Sequence, residues 1–133
     1  MATRLTGVYE TVLYAADVPE ATGFYADALG LSVVGEPSEL AAAFRLADGG
    51  VLLIFDPDRS SEPGRPVPSH GTSGAGHIAF SVEPGNLDQV TAELRRRGVG
   101  IEREVSWDAG GRSVYVRDPA GNSVELIDGE AWE

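Results

Sequence analysis

The chain has 133 residues, enough for one compact domain or for two small halves that share a core. Its hydrophobic content of 42% and charged content of 23% are those of an ordinary soluble globular protein, with no apolar run near the roughly 18 residues of a membrane span and no N-terminal signal pattern. The absence of cysteine and lysine and a formal net charge of −11 exclude disulfide frameworks, cysteine zinc sites, thiol nucleophiles and Schiff-base lysines, and they set the cytoplasm as the expected compartment, with no nucleic acid and no membrane as partner.

In chain order, the first strand-like run is "YETVLY". A helix start follows, where Asp17 and Glu20 form a D-x-x-E capping box and Pro19 is tolerated in the first turn. Ala21, Phe24, Tyr25, Ala28 and Leu29 carry the i, i+3, i+4, i+7, i+8 apolar spacing of a helix, and Gly30 can take the left-handed position that ends it. Three strand-like runs come next, at 31–36, 39–47 and 50–56. The segment "DPDRSSEPGRPVPSHGTSGAG" is too rich in Pro, Gly and Ser for helix or strand. Its histidine, His70, is expected to be exposed to solvent, although it could reach over a binding site as a lid residue.

The pattern then repeats. "GHIAFSV" is a strand, Asn86 and Gln89 take the capping roles, and Leu87, Val90 and Leu94 form the apolar stripe of a helix that Gly98 ends. Arg95, Arg96 and Arg97 close this helix, where cations offset its dipole. Strand-like runs follow at 99–105, 112–117 and 122–128, the last two joined by the turn signal "RDPAGN". The first strands of the two halves align at an offset of 67 and the last at 72, "DGGVLLIFD" against "AGNSVELID". Each half therefore reads β-α-β-β-β. The expected organisation is one domain over 1–133, with a first module at 1–56, a linker at 57–73 and a second module at 74–133.

Strand alternation assigns faces. His77, Ala79 and Ser81 share one side of their strand, and Ile78, Phe80 and Val82 pack under the helix. Glu125 lies on a face with Ser123 and Ile127, and Glu10 on a face with Val12 and Tyr14. A buried carboxylate is costly unless it is paired or bound to a metal. The alternatives are a structural role for His77 and, for Glu10, a pocket carboxylate that binds a cationic ligand group.

With "FYADALGL" ending the first helix and "GHIAFSV" and "DPAGNSVELID" in the second module, the chain resembles the vicinal oxygen chelate superfamily, which includes glyoxalase I, extradiol dioxygenases, fosfomycin-resistance enzymes and bleomycin-binding proteins. The resemblance implies an α+β fold in which two βαβββ modules form a cup-shaped mixed β-sheet with outer helices. It also implies metal ligands on the first and last strands of each module. Those positions are Glu10 and Leu53 in the first module and His77 and Glu125 in the second, so three of the four can ligate. The implied cofactor is a divalent metal ion, Mn, Fe, Co, Ni or Zn, held by Glu10, His77 and Glu125, with Glu10 or Glu125 as the catalytic base. Tyr14, Phe55, Trp107 and Tyr115 are the candidates to line the substrate pocket.

Leu53 departs from the ligand set of glyoxalase I, Glu10 departs from the two-histidine set of an extradiol dioxygenase, and the lack of lysine leaves few cations for the phosphonate of a fosfomycin-type substrate. Two functions remain open. One is a metal-dependent enzyme acting on a small oxygenated substrate. The other is a non-catalytic protein that sequesters an antibiotic or other natural product, for which the acidic surface favours a cationic ligand. The resemblance further implies a homodimer, with or without exchange of modules, and Trp132 is available to dock on a partner or on its own sheet.

Overall fold

The computed structural model describes residues 4–132. Two four-stranded mixed sheets carry the fold, one from each half. The first contains β1 (Glu10–Tyr14), β2 (Ser32–Val34), β3 (Ala41–Arg45) and β4 (Val51–Phe55) in the order β1-β4-β3-β2. The second contains β5 (His77–Ser81), β6 (Arg103–Ser106), β7 (Arg112–Arg117) and β8 (Ser123–Asp128) in the order β5-β8-β7-β6. In each sheet the first strand runs parallel to the last, because the helix between them is a crossover, and the other pairs are antiparallel hairpins. This α+β arrangement of paired modules agrees with the sequence expectation.

The parallel pairing places the candidate residues. Val12 lies opposite Leu53 in the first sheet and Ala79 opposite Glu125 in the second. His77 pairs with Ser123, so it is a diagonal neighbour of Glu125, close enough for two long side chains to meet.

The core lies on the opposite faces. Leu52, Ile54 and Phe44 of the first sheet and Val114, Val116, Val124 and Leu126 of the second join Val18, Ala21, Phe24, Tyr25, Leu87 and Leu94 of the helices in one buried cluster. Ile78, Phe80 and Val82 pack against it, as alternation requires. Each fully buried Leu or Ile is worth about 1.5–3 kcal/mol, so this shared core, which neither half could assemble alone, holds the modules together.

The helices follow the sequence in part. In α1 (Val18–Gly23), Asp17 caps the helix by accepting the Glu20 N–H at 3.1 Å. The expected regular continuation is instead a π-helical turn over Phe24–Ala28, closed by Leu29 N–H on the Phe24 carbonyl at 3.1 Å. Phe24 and Tyr25, the i+3 and i+4 positions of the apolar stripe, are both buried in this turn, with their rings edge-on at 5.1 Å. Gly30 ends the helix at φ 71°, and Gly98 ends α3 (Leu87–Arg96) at φ 81°.

The expected capping by Asn86 is corrected: its amide donates to Glu83 at 3.1 Å and makes no bond to the helix. The run expected at 99–105 forms a strand only over Arg103–Ser106, while Val99 and Ile101 are spent on packing against the core. The linker also departs from expectation. Asp56 accepts the Asp58 N–H and, with Pro57 at the first position, starts a short helix, α2 (Pro57–Ser60).

One polar network crosses between the modules. Asp118 accepts the Tyr25 hydroxyl at 2.7 Å, and its carboxylate also takes the Asn122 N–H at 2.8 Å and the Asn122 amide at 2.9 Å. The same Asn122 amide donates to the Tyr14 carbonyl at 3.0 Å and accepts the Gly76 N–H at 2.7 Å. Asn122 therefore grips the end of β1 and the approach to His77 together. Its side chain is fully buried, so each of these bonds replaces water.

Candidate metal and substrate site

On the face of the second sheet away from the core, His77 Nε2 lies 3.3 Å from Glu125 Oε1. The imidazole side chain is 51% exposed and the carboxylate side chain 10%. His77 Nδ1 sits 3.1 Å from the Ser123 carbonyl, a contact that needs a proton on Nδ1 and turns Nε2 toward Glu125. The other carboxylate oxygen, Oε2, accepts the Ser113 hydroxyl at 2.5 Å, and the Ser113 oxygen accepts the Trp107 indole N–H at 2.7 Å. Glu125 is thus held at one oxygen and offers the other to the same space as His77 Nε2.

Tyr115 lies directly opposite Glu125 in the ladder, and its ring stacks near His77 with centroids 6.3 Å apart. Burial, then the negative charge of Glu125, hold its phenol above the ordinary tyrosine range.

The donor set suits a divalent metal. Two ligand atoms about 2.1 Å from one ion at 90–109° stand roughly 3.0–3.4 Å apart, which brackets the His77–Glu125 separation. The two together offer two candidate ligand atoms. Among the described residues no three His, Asp or Glu side chains come close enough to hold a metal ion. Glu10, the remaining candidate, is exposed at the start of β1 on the other sheet, not at a buried position as its strand pattern implies.

Tyr14 and Phe55 sit together at the far end of that first sheet, opposite each other in the ladder. They belong to a second cluster that sequence reasoning missed. His70 is half-buried, not solvent-exposed: its Nδ1 is 2.7 Å from the Tyr14 hydroxyl, and its ring meets Phe55 edge-on at 4.7 Å. The linker is tied down there by His70 N–H on the Ser60 carbonyl at 3.0 Å and by the Ser60 hydroxyl on the His70 carbonyl at 2.7 Å. The Arg65 guanidinium lies over the Phe55 ring at 5.6 Å. Trp132 is 87% exposed and does not dock on its own sheet. A separate apolar groove of about 510 Å³, lined by Leu29, Leu31, Leu46, Phe80, Val90 and Leu126 among others, runs between the modules and includes neither His77 nor Glu125.

Known proteins of similar sequence and fold share this architecture. The profile of the Glyoxalase/Bleomycin resistance protein/Dioxygenase superfamily matches residues 7–126. A biphenyl-2,3-diol 1,2-dioxygenase of Rhodococcus globerulus is 34% identical over 116 residues, which are 86% of this chain and 59% of the relative's length. The crystal structure of a lactoylglutathione lyase from Agrobacterium tumefaciens superposes with a TM-score of 0.91 at 35% identity, over 98% of both chains. A glyoxalase/dioxygenase structure from Nostoc punctiforme gives 0.73 at 25% identity, over 96% of this chain and 93% of that one. With the fold, the module repeat and the sequence match in agreement, the chain belongs to the glyoxalase/bleomycin resistance protein/dioxygenase superfamily.

Proposed function

We propose that the protein is a divalent-metal-dependent enzyme acting on a small substrate that presents two adjacent oxygens, and that its site is completed across a homodimer. The observation that carries this reading is the geometry of His77 and Glu125: an imidazole anchored at Nδ1 and a carboxylate fixed at one oxygen, with Nε2 and the other oxygen 3.3 Å apart and facing one space. Glu10 of a second copy would supply the third ligand. Its exposure supports that placement, as do Val8 and Tyr9 just before it, which are 78% and 85% exposed and too apolar to favour water.

When bound, the metal supplies Lewis-acid polarisation of the substrate oxygens. The chain's own residues bind and orient. Ser113, itself fixed by Trp107, keeps Glu125 in register, and Ser123 sets the tautomer of His77. Tyr115 stays protonated beside Glu125 and can donate a hydrogen bond to a substrate oxygen. Glu10, the least constrained carboxylate, is the group free to take a proton from the substrate.

The relatives fit such a substrate in outline, since biphenyl-2,3-diol carries two adjacent oxygens on an aromatic body. The chain spans about three fifths of that relative's length, so the dioxygenase reaction itself is not carried over. The alternative, sequestration of a cationic natural product, draws on the net charge of −11. Metal content decides between them. Protein purified without chelator or a metal-binding tag should hold near one equivalent of a transition metal per chain by elemental mass spectrometry, and His77→Ala should lose it. Metal-free protein in both, even after incubation with Mn2+, Ni2+ or Zn2+, would overturn the enzyme reading.

A further inference from the structure

The outer face of the first sheet has a polarity along its length. Glu10, Val12 and Tyr14 of β1 share this face with Val51, Leu53 and Phe55 of β4 and with Ala41 and Ala43 of β3. The middle is apolar and shallow, with Val12 and Leu53 beside two alanines. One end carries the carboxylate of Glu10. The other, about 13 Å away along the strand at about 3.3 Å per residue, carries His70 and Arg65 from the linker.

Those two groups are built in and left unsatisfied. Arg65 gives one N–H to the Ser60 carbonyl at 3.1 Å and rests on Phe55, yet it has no carboxylate partner among the described residues, although the chain holds 21 Asp and Glu against 10 Arg. His70 is fixed at Nδ1 by Tyr14 and at its backbone by Ser60, which leaves Nε2 without a partner among the described residues. When the Tyr14 hydroxyl donates to Nδ1, Nε2 carries the ring proton and is a donor. When the imidazole donates instead, the Tyr14 O–H is the spare donor. In either case a half-buried guanidinium stands beside one free donor of the phenol–imidazole pair, and together they select an anion by local hydrogen bonds against an unfavourable long-range field.

We propose that Arg65 and His70 form a carboxylate-binding subsite, and that the substrate is therefore a chelating head, an apolar body and a carboxylate tail laid along this face. The proposal rests on the metal-site reading above, in which Glu10 marks the chelating end. Guanidinium and carboxylate pair in a bidentate fork that a neutral ester does not accept.

The test uses a matched pair of probes, 3-(3,4-dihydroxyphenyl)propanoate and its methyl ester, titrated calorimetrically into the wild-type protein in Mn2+-containing buffer. The acid is expected to bind about tenfold more tightly than the ester, the increment of one charge-assisted bidentate contact. Arg65→Gln should abolish that preference and Arg65→Lys should retain part of it. His77→Ala should weaken both probes alike. No preference in the wild type, a preference undiminished in Arg65→Gln, or no binding of either probe at millimolar concentration would overturn the subsite. Unchanged affinities in His77→Ala, with the acid preference intact, would instead overturn the metal reading and leave the subsite standing.

Discussion

Ser113 donates its hydroxyl to Glu125 Oε2 at 2.5 Å inside the second sheet, and both residues are buried. The bond decides which oxygen of the carboxylate is available to a ligand. It is also the kind of support that a site needs and a core does not, because an apolar pair at these two positions would pack as well.

Ser113→Ala should therefore lower metal affinity about 10–100-fold, as loss of a residue that orients a ligand does, with little change in fold. Trp107→Phe should act in the same direction and less strongly, since it removes the indole N–H that fixes Ser113. Competition with a chromogenic chelator measures both. Affinity within about twofold of wild type in Ser113→Ala would show that Glu125 needs no such support.

The module network makes a stability prediction. Asn122→Ala leaves the Tyr14 carbonyl, the Gly76 N–H and part of the Asp118 carboxylate without their partner in a buried setting. At about 1–3 kcal/mol for each unsatisfied group, offset by water entering the gap, a loss of about 2–4 kcal/mol is expected. Urea unfolding reads it directly. Because Asn122 positions Gly76, the residue before His77, metal affinity should fall together with stability; an unfolding midpoint within error of wild type would remove Asn122 from this role.

Tyr25 sets an alkaline limit. Burial, then the hydrogen bond to and charge of Asp118, raise its phenol well above the ordinary value of 10.0. The folded chain thus keeps the neutral phenol where the unfolded chain ionises it. This contribution is complete below about pH 10 and is lost progressively as pH rises above that value toward the folded pKa. Tyr25→Phe should be less stable than wild type at neutral pH by about 1.5–3 kcal/mol, the worth of a buried bond to a charged acceptor, and should show a shallower loss between pH 9.5 and 11. Parallel pH dependence in the two proteins would contradict this assignment.

The β-α-β-β-β order of both halves was legible because each element has its own periodicity and the crossover helix of each half ends on a glycine, Gly30 or Gly98, at positive φ. The facing of His77 and Glu125 was legible for a similar reason, since alternation is a local rule. What the sequence did not disclose depends on contacts far along the chain. The π-turn at Phe24–Ala28 lies in a stretch whose apolar spacing is that of a regular helix, so periodicity alone does not mark it. His70 lies in a segment whose composition reads as loop, and only the pairing of Ser60 with His70 folds it back onto Tyr14 and Phe55. Ser113 could have been flagged, because it shares strand parity with Tyr115, directly across from Glu125. The exposure of Glu10 was not legible either, because strand alternation assigns a face and not whether that face is covered.

That exposure gives the most discriminating prediction. If Glu10 of one copy completes the site of another, Glu10→Ala and His77→Ala homodimers should each bind metal poorly, while a mixture of the two, unfolded and refolded together, should regain part of it. Random pairing makes half the dimers mixed, and each mixed dimer holds one intact site of two, so about a quarter of the wild-type metal content should return. Complementation requires that the intact His77 and Glu125 come from the Glu10→Ala chain and the intact Glu10 from the other. A site built within one chain cannot be rescued this way, because every chain in the mixture lacks one ligand. Recovery near a quarter therefore establishes the shared site, and no recovery, with dimers present by light scattering, returns Glu10 to the role of an ordinary surface carboxylate.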